Sequence, residues 1–183
     1  MQRLFPEAWM PLVPMQRLIL HWTGGGYIPN SIDLDCYHFL IGGDGIVYKG
    51  KWSIADNVAP ISYDKVKKGT YAAHTSKCNS GSIGLALCCM HNAQERPFNP
   101  GSAPMTRTQW DRGVQVAAVL AKHYKIPVTP KTILSHAEVQ GTLKIPQKQK
   151  WDITVLPFDR SISGATAIGN LFREQVVEAM KQL

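Results

Sequence analysis

An α/β domain with a central mixed β-sheet flanked by helices is the fold this sequence predicts, on three observations. Short β-prone runs alternate with helical patterns along most of the chain. The stretch "SIGLALCCM" (82–90) is apolar without interruption and bounded by polar residues, as expected of a strand buried on both faces. Beyond Thr106, the residues Trp110, Val114, Ala117, Ala121 and Tyr124 recur at helical spacing and give one buried face. A chain of 183 residues is long enough for one domain with a substantial core.

Taken in order, residues 1–16 read as an N-terminal arm, irregular because Pro6, Pro11 and Pro14 interrupt it. Arg17 to Trp22 is the first strand, ending near His21 and released into Gly24, Gly25 and Gly26. In "YHFLIGGDGIVYKG" (37–50), two β-prone runs flank a glycine-rich turn, which is a hairpin signal. "SIGLALCCM" supplies the central strand. Prolines at 97, 100 and 104 make the following segment a loop. Thr106 and Gln109 have capping-box spacing and start the long helix, which Pro127 stops. "TILSH" (132–136) reads as a short strand ending on a histidine, and a basic loop then runs to "KWDITVLPFD" (150–159). Ile168, Leu171, Phe172, Val176, Ala179 and Met180 give the tail, roughly 165–182, a helical pattern. Its charges balance, so docking on the domain is expected in preference to membrane contact.

Composition narrows the class. Apolar residues make up 44% and charged residues 18%, as in ordinary globular proteins. The formal charge of +7 favours an anionic partner. Its densest groups, "KVKK" (65–68) and "KIPQKQK" (144–150), are too short for a nucleic-acid arm, and no nucleic-acid partner is expected. Cys36, Cys78, Cys88 and Cys89 match no zinc-finger or CxxC spacing and read as reduced thiols. The N-terminal residues make a poor signal-peptide core and nothing marks the chain for export, so synthesis in a reducing, cytoplasmic compartment is the expectation. A monomer is the default for this size.

Six histidines are available, and two stand apart. His21 and His136 each sit at the end of an apolar strand, where sites form in open α/β sheets. Neighbouring strands would bring the two imidazoles together. A catalytic zinc needs three protein ligands and an open position. Asp152, sixteen residues after His136, is the candidate third donor, although an N-cap or a salt-bridge role would suit it as well. HExxH is absent.

Five segments in order, "ILHWTGGG" (19–26), "YHFLIGGDGIVYKG", "AAHTSKCNSGSIGLAL" (72–87), "ILSHAEV" (133–139) and "KWDITVLPFD", resemble the zinc-dependent N-acetylmuramoyl-L-alanine amidases. That superfamily includes phage-lysozyme-type amidases and the peptidoglycan recognition proteins. The resemblance spans roughly residues 17–159 and is strongest to phage and prophage cell-wall amidases. It implies a catalytic domain over 17–160, a C-terminal helix within 161–183, and one Zn²⁺ on His21, His136 and Asp152. It further implies catalytic roles for Tyr37 and Lys150, a substrate-groove role for His74, and bacterial peptidoglycan as the partner. Trp22 and Thr23 are expected to line the site, and Asn79 and Ser80 to contact peptide carbonyls. Ala86 stands where some members carry a catalytic glutamate, which shifts weight to Tyr37 and Lys150. The implied activity is hydrolysis of the amide between N-acetylmuramic acid and L-alanine, in an endolysin that lyses a host. A cytoplasmic muropeptide-recycling amidase and a non-catalytic peptidoglycan-binding protein are the alternatives.

Overall fold

The computed structural model describes residues 4–62 and 69–183, so the basic "KVKK" group lies outside the described residues. Five strands form the main sheet: β1 (Arg17–Trp22), β2 (Phe39–Ile41), β3 (Val47–Lys49), β4 (Ser82–Leu87) and β5 (Ile133–Ser135). Their spatial order is β3-β2-β4-β1-β5. β1 runs parallel to β4 and β5, and β2 runs parallel to β4. Only β3 is antiparallel, as the return strand of a hairpin from β2. β4 occupies the centre, and all six of its residues are buried, which is why its sequence reads as a continuous apolar run. Cys88 and Cys89 follow the strand and are buried, and burial pushes the Cys88 thiol up to about 12.

Helix α1 (Ser31–Cys36) precedes β2, and helix α2 (Arg107–Tyr124) follows β4. Thr106 and Gln109 form the reciprocal cap at the start of α2. That helix ends at Tyr124 with Lys125 in the left-handed conformation, ahead of Pro127. Three features lay beyond the sequence reading. α1 is too short to establish a helical period. Strands β6 (Val155–Leu156) and β7 (Asp159–Ser163) form a small separate hairpin. Helix α3 (His136–Leu143) replaces the loop expected after "TILSH", so His136 opens a helix instead of closing a strand. The reason is local: the Glu138 carboxylate accepts the Ser135 N–H at 2.8 Å, holding the first turn. Tyr37 is likewise the C-cap of α1 and not a strand residue.

Helix α4 (Ala165–Met180) buries Ile168, Phe172 and Val176 in the main core together with Trp110, Ala117 and Leu120 of α2. Phe172 meets the Trp110 ring edge-on at 5.2 Å. No helix among the described residues is long and apolar enough to cross a membrane.

His38, buried next to β2, accepts the Gly84 N–H on its Nδ1 at 3.0 Å. Desolvation lowers its pKa to about 4, partly opposed by a hydrogen bond with Asn57. The folded state therefore holds it neutral, whereas the unfolded chain protonates it near pH 6.5. Its contribution is complete above pH 6.5 and is lost on acidification, reaching about 3 kcal/mol by pH 4. Urea unfolding across this range should show the loss, and His38→Asn, which keeps an acceptor but does not titrate, should make the profile shallower by about that amount.

Candidate functional site

Parallel strands place their carboxyl ends at one edge of the sheet, and the site lies there, at β1 and β5. Leu20 pairs with Ser135, so the next residues, His21 and His136, emerge side by side. Their ring centroids are 4.7 Å apart, as the strand-end reading anticipated. Asp152 arrives from the chain beyond α3. Its carbonyl accepts the Ala137 N–H at 2.6 Å, satisfying a free donor in the first turn of α3. That anchor carries the Asp152 carboxylate to the two imidazoles: Oδ2 lies 3.0 Å from His21 Nδ1 and 3.2 Å from His136 Nδ1.

One donor atom from each of the three residues falls within 4.8 Å of the other two, and all three residues are buried. Tetrahedral zinc with bonds of about 2.0–2.1 Å sets its donors roughly 3.3 Å apart. The residues present therefore fit such an ion. The charge states of His21 and Asp152 fit as well. Burial lowers His21 to about 4, against the opposing hydrogen bond to Asp152, so the ring is neutral at physiological pH. Burial acts to raise the Asp152 carboxyl, but hydrogen bonds from His136 and His21 outweigh it and hold Asp152 below the ordinary carboxylate range. A neutral His21 imidazole and a carboxylate converge with the His136 ring.

Loop 72–81 covers His21 from the other side. Burial holds His74 far below the usual histidine range, and its Nδ1 lies 3.2 Å from His21 Nε2. Thr75 Oγ1 is 3.3 Å from the same nitrogen. Gly84 on β4 lets His74 come this close to the sheet: a Cβ there would stand 2.6 Å from the His74 ring. Asn57, fully buried, pins the loop by donating to the carbonyls of Ala72 at 2.9 Å and Asn79 at 3.2 Å.

The site opens into a cleft of about 550 Å³ lined by Trp22, Thr23, Gly24, Tyr37, His74, His136 and Asp152, with Lys77, Lys148 and Lys150 among its other walls. The cleft residues Trp22 and Trp151 meet edge-on at 4.6 Å. Tyr37 packs on His21 with ring centroids 5.1 Å apart, and desolvation and then the Asp152 charge push its hydroxyl upward, so it stays protonated. Ala86 pairs in register with His21 and is fully buried among apolar neighbours, leaving no carboxylate at that position.

Two expected groove residues are elsewhere. Asn79 is buried and accepts the Thr75 N–H on Oδ1 at 2.7 Å, while Ser80 Oγ accepts the Ile61 N–H at 2.9 Å. Neither lines the cleft; both hold the loop that does. Gln147 was absent from the sequence reading. It is buried, and its side chain spans from His136 to the Ser76 carbonyl. One of two glutamines within a basic, proline-containing loop, it has no periodicity to reveal it.

The profile described as N-acetylmuramoyl-L-alanine amidase matches residues 11–153. Comparison with curated protein sequences gives no match. Similar solved structures include PlyL, with 14% identity, 90% of this chain and 84% of that chain covered, and a TM-score of 0.48. The N-acetylmuramoyl-L-alanine amidase LysC from Clostridium intestinale URNW has 16% identity, with 80% and 81% covered and a TM-score of 0.45. The Ph2119 endolysin from Thermus scotoductus MAT2119 bacteriophage Ph2119 has 19% identity, with 82% and 87% covered and a TM-score of 0.42.

Proposed function

Because the chain belongs to the N-acetylmuramoyl-L-alanine amidase family, we propose that it is a zinc-dependent enzyme cutting the amide between N-acetylmuramic acid and L-alanine in peptidoglycan. The observation that carries this reading is the convergence of His21, His136 and Asp152 donors, the last two of which line an open cleft. Zinc held by these three residues would polarise the scissile carbonyl and lower the pKa of water toward about 7.

The chain's own residues supply the rest. Tyr37, protonated at working pH, donates a hydrogen bond to the carbonyl oxygen as negative charge develops there. Lys150, on the cleft wall, sets an ammonium against the same charge. On bond cleavage the L-alanine nitrogen takes up a proton, and these two groups are the donors at hand. Trp22, Trp151 and Thr23 shape the walls that receive the sugar and the first stem residue, and His74 supports His21 from behind. Lys150→Met should lower kcat roughly 100-fold with zinc content unchanged, as loss of one oxyanion donor does. Steady-state kinetics together with metal analysis checks this.

We place the enzyme among wall-lytic amidases of phage or prophage origin. Its net charge of +7 would speed encounter with an anionic cell envelope. The test is digestion of purified sacculi. The expected result is chelator-sensitive appearance of free L-alanine amino termini and clearing of the suspension. Cleavage of soluble muropeptides alone would favour a recycling role, and wall binding without new amino termini would contradict the enzymatic reading.

A further inference from the structure

We infer that Gln147 is a positioning residue that locks His136 in the tautomer presenting Nδ1 to the metal. The inference rests on the zinc reading of the site. Gln147 Oε1 lies 2.9 Å from His136 Nε2. The orientation of the amide is fixed by its other end: Nε2 donates to the Ser76 carbonyl at 2.9 Å and to the Ile145 carbonyl at 3.4 Å. Carbonyls only accept, so the amide nitrogen must face them and the oxygen must face the imidazole. An acceptor at that distance requires a hydrogen on His136 Nε2. A metal ligand must offer a lone pair, and with the Nε2–H committed to Gln147 the ring nitrogen left to take the ion is Nδ1. Nδ1 is the nitrogen 3.2 Å from Asp152 Oδ2.

Gln147 is itself held in place. It is 4% exposed, and its backbone N–H donates to Gln140 Oε1 at 2.9 Å. Gln140 belongs to α3, the helix that His136 begins. The imidazole, its partner and the helix thus form a closed circuit, which the bond to Ser76 extends across the cleft to loop 72–81. His21 has no equivalent device. Its Nε2 meets His74 Nδ1 and Thr75 Oγ1, groups whose hydrogens can be arranged in either sense. Gln147 therefore fixes the histidine whose second nitrogen meets a dedicated acceptor. Such partners of a metal ligand orient its ring and raise its basicity.

The test uses the full chain and compares wild type with Gln147→Met, which keeps the volume without the acceptor, and Gln147→Glu, which keeps an acceptor. Competition with a chromogenic chelator gives the zinc affinity of each. Gln147→Met should bind zinc about 10- to 100-fold more weakly, and Gln147→Glu should recover most of that loss. In the zinc-loaded protein, proton NMR should show an exchange-protected His136 Nε2–H in wild type and Gln147→Glu that is lost in Gln147→Met. Wild-type zinc affinity in Gln147→Met overturns the inference. So does a Gln147→Glu protein no tighter than Gln147→Met, because the bond to Ser76 would then be the part that matters. If Gln147→Met does not fold, Gln147→Glu decides alone: retained affinity with a protected N–H supports the inference, and loss of both overturns it. Wild-type protein that binds no zinc is a separate result, which removes the metal reading and this inference with it.

Discussion

Replacing His136 with alanine should abolish stoichiometric zinc binding and lower amide hydrolysis by roughly a thousandfold or more, because a Lewis acid contributes several kcal/mol to the transition state. The fold should survive. His136 sits at the first position of α3, where a helix tolerates alanine, and the first turn is held by Glu138 and by the Asp152 carbonyl, neither of which needs the imidazole. The change therefore removes a donor without removing the scaffold. Its effect should differ from that of Lys150→Met, which slows turnover with the metal in place. Circular dichroism, zinc analysis and release of L-alanine amino termini, measured on one preparation, separate a lost ligand from a lost fold. A His136→Ala protein that kept both zinc and turnover would show that the metal is held elsewhere.

Arg173→Ala should be the most destabilising single change outside the site, at about 3–5 kcal/mol, the cost of stranding a buried charge. Arg173 is 6% exposed and Glu138 4% exposed. The guanidinium grips both carboxylate oxygens, at 2.9 and 3.2 Å, and also donates to the Ile133 carbonyl at 2.9 Å. A Cβ at Gly169 would come within 2.2 Å of the Glu138 carboxyl group, so glycine is what lets α4 approach α3 this closely. Thermal unfolding should shift down by on the order of 10 °C. A double variant, Arg173→Met with Glu138→Gln, should recover part of the loss because no charge is left unpaired, while the amide oxygen can still accept the Ser135 N–H. The pair has a functional reach. Glu138 also holds Ser135, the residue before His136, so α4, which begins beyond the matched region 11–153, braces the site from behind. An Arg173→Ala protein as stable as wild type would remove that role.

The sheet and the two long helices were legible because each carries a long, uninterrupted signal. β4 is apolar throughout, α2 shows both its cap and its period, and α4 buries Ile168, Phe172 and Val176 from the predicted face. The two histidines were legible because strand ends mark the edge of a parallel sheet. What failed was short or non-local. α1 has six residues, fewer than two turns. α3 was hidden because "TILSH" looked like a complete strand, although Ser135 and Glu138 have capping-box spacing and gave a readable start signal. Asn79 and Ser80 were expected in the groove because they are polar and lie in a groove loop. The sequence does not show which way a loop side chain turns, and these two turn inward to hold backbone N–H groups. Gln147 and Arg173 act on residues 11 and 35 positions away, through contacts that no local pattern encodes.

X-ray absorption at the zinc edge, on protein titrated with one equivalent of metal, tests the three-ligand centre most directly. The expected spectrum shows only nitrogen and oxygen neighbours at about 2.0–2.1 Å, with the imidazole scattering of two histidines. That spectrum should lose one imidazole, or the tightly bound metal altogether, in His136→Ala. Sulfur at about 2.3 Å would place the metal on the buried cysteines instead, and failure to retain one equivalent would leave His21, His136 and Asp152 as a hydrogen-bonded cluster without an ion.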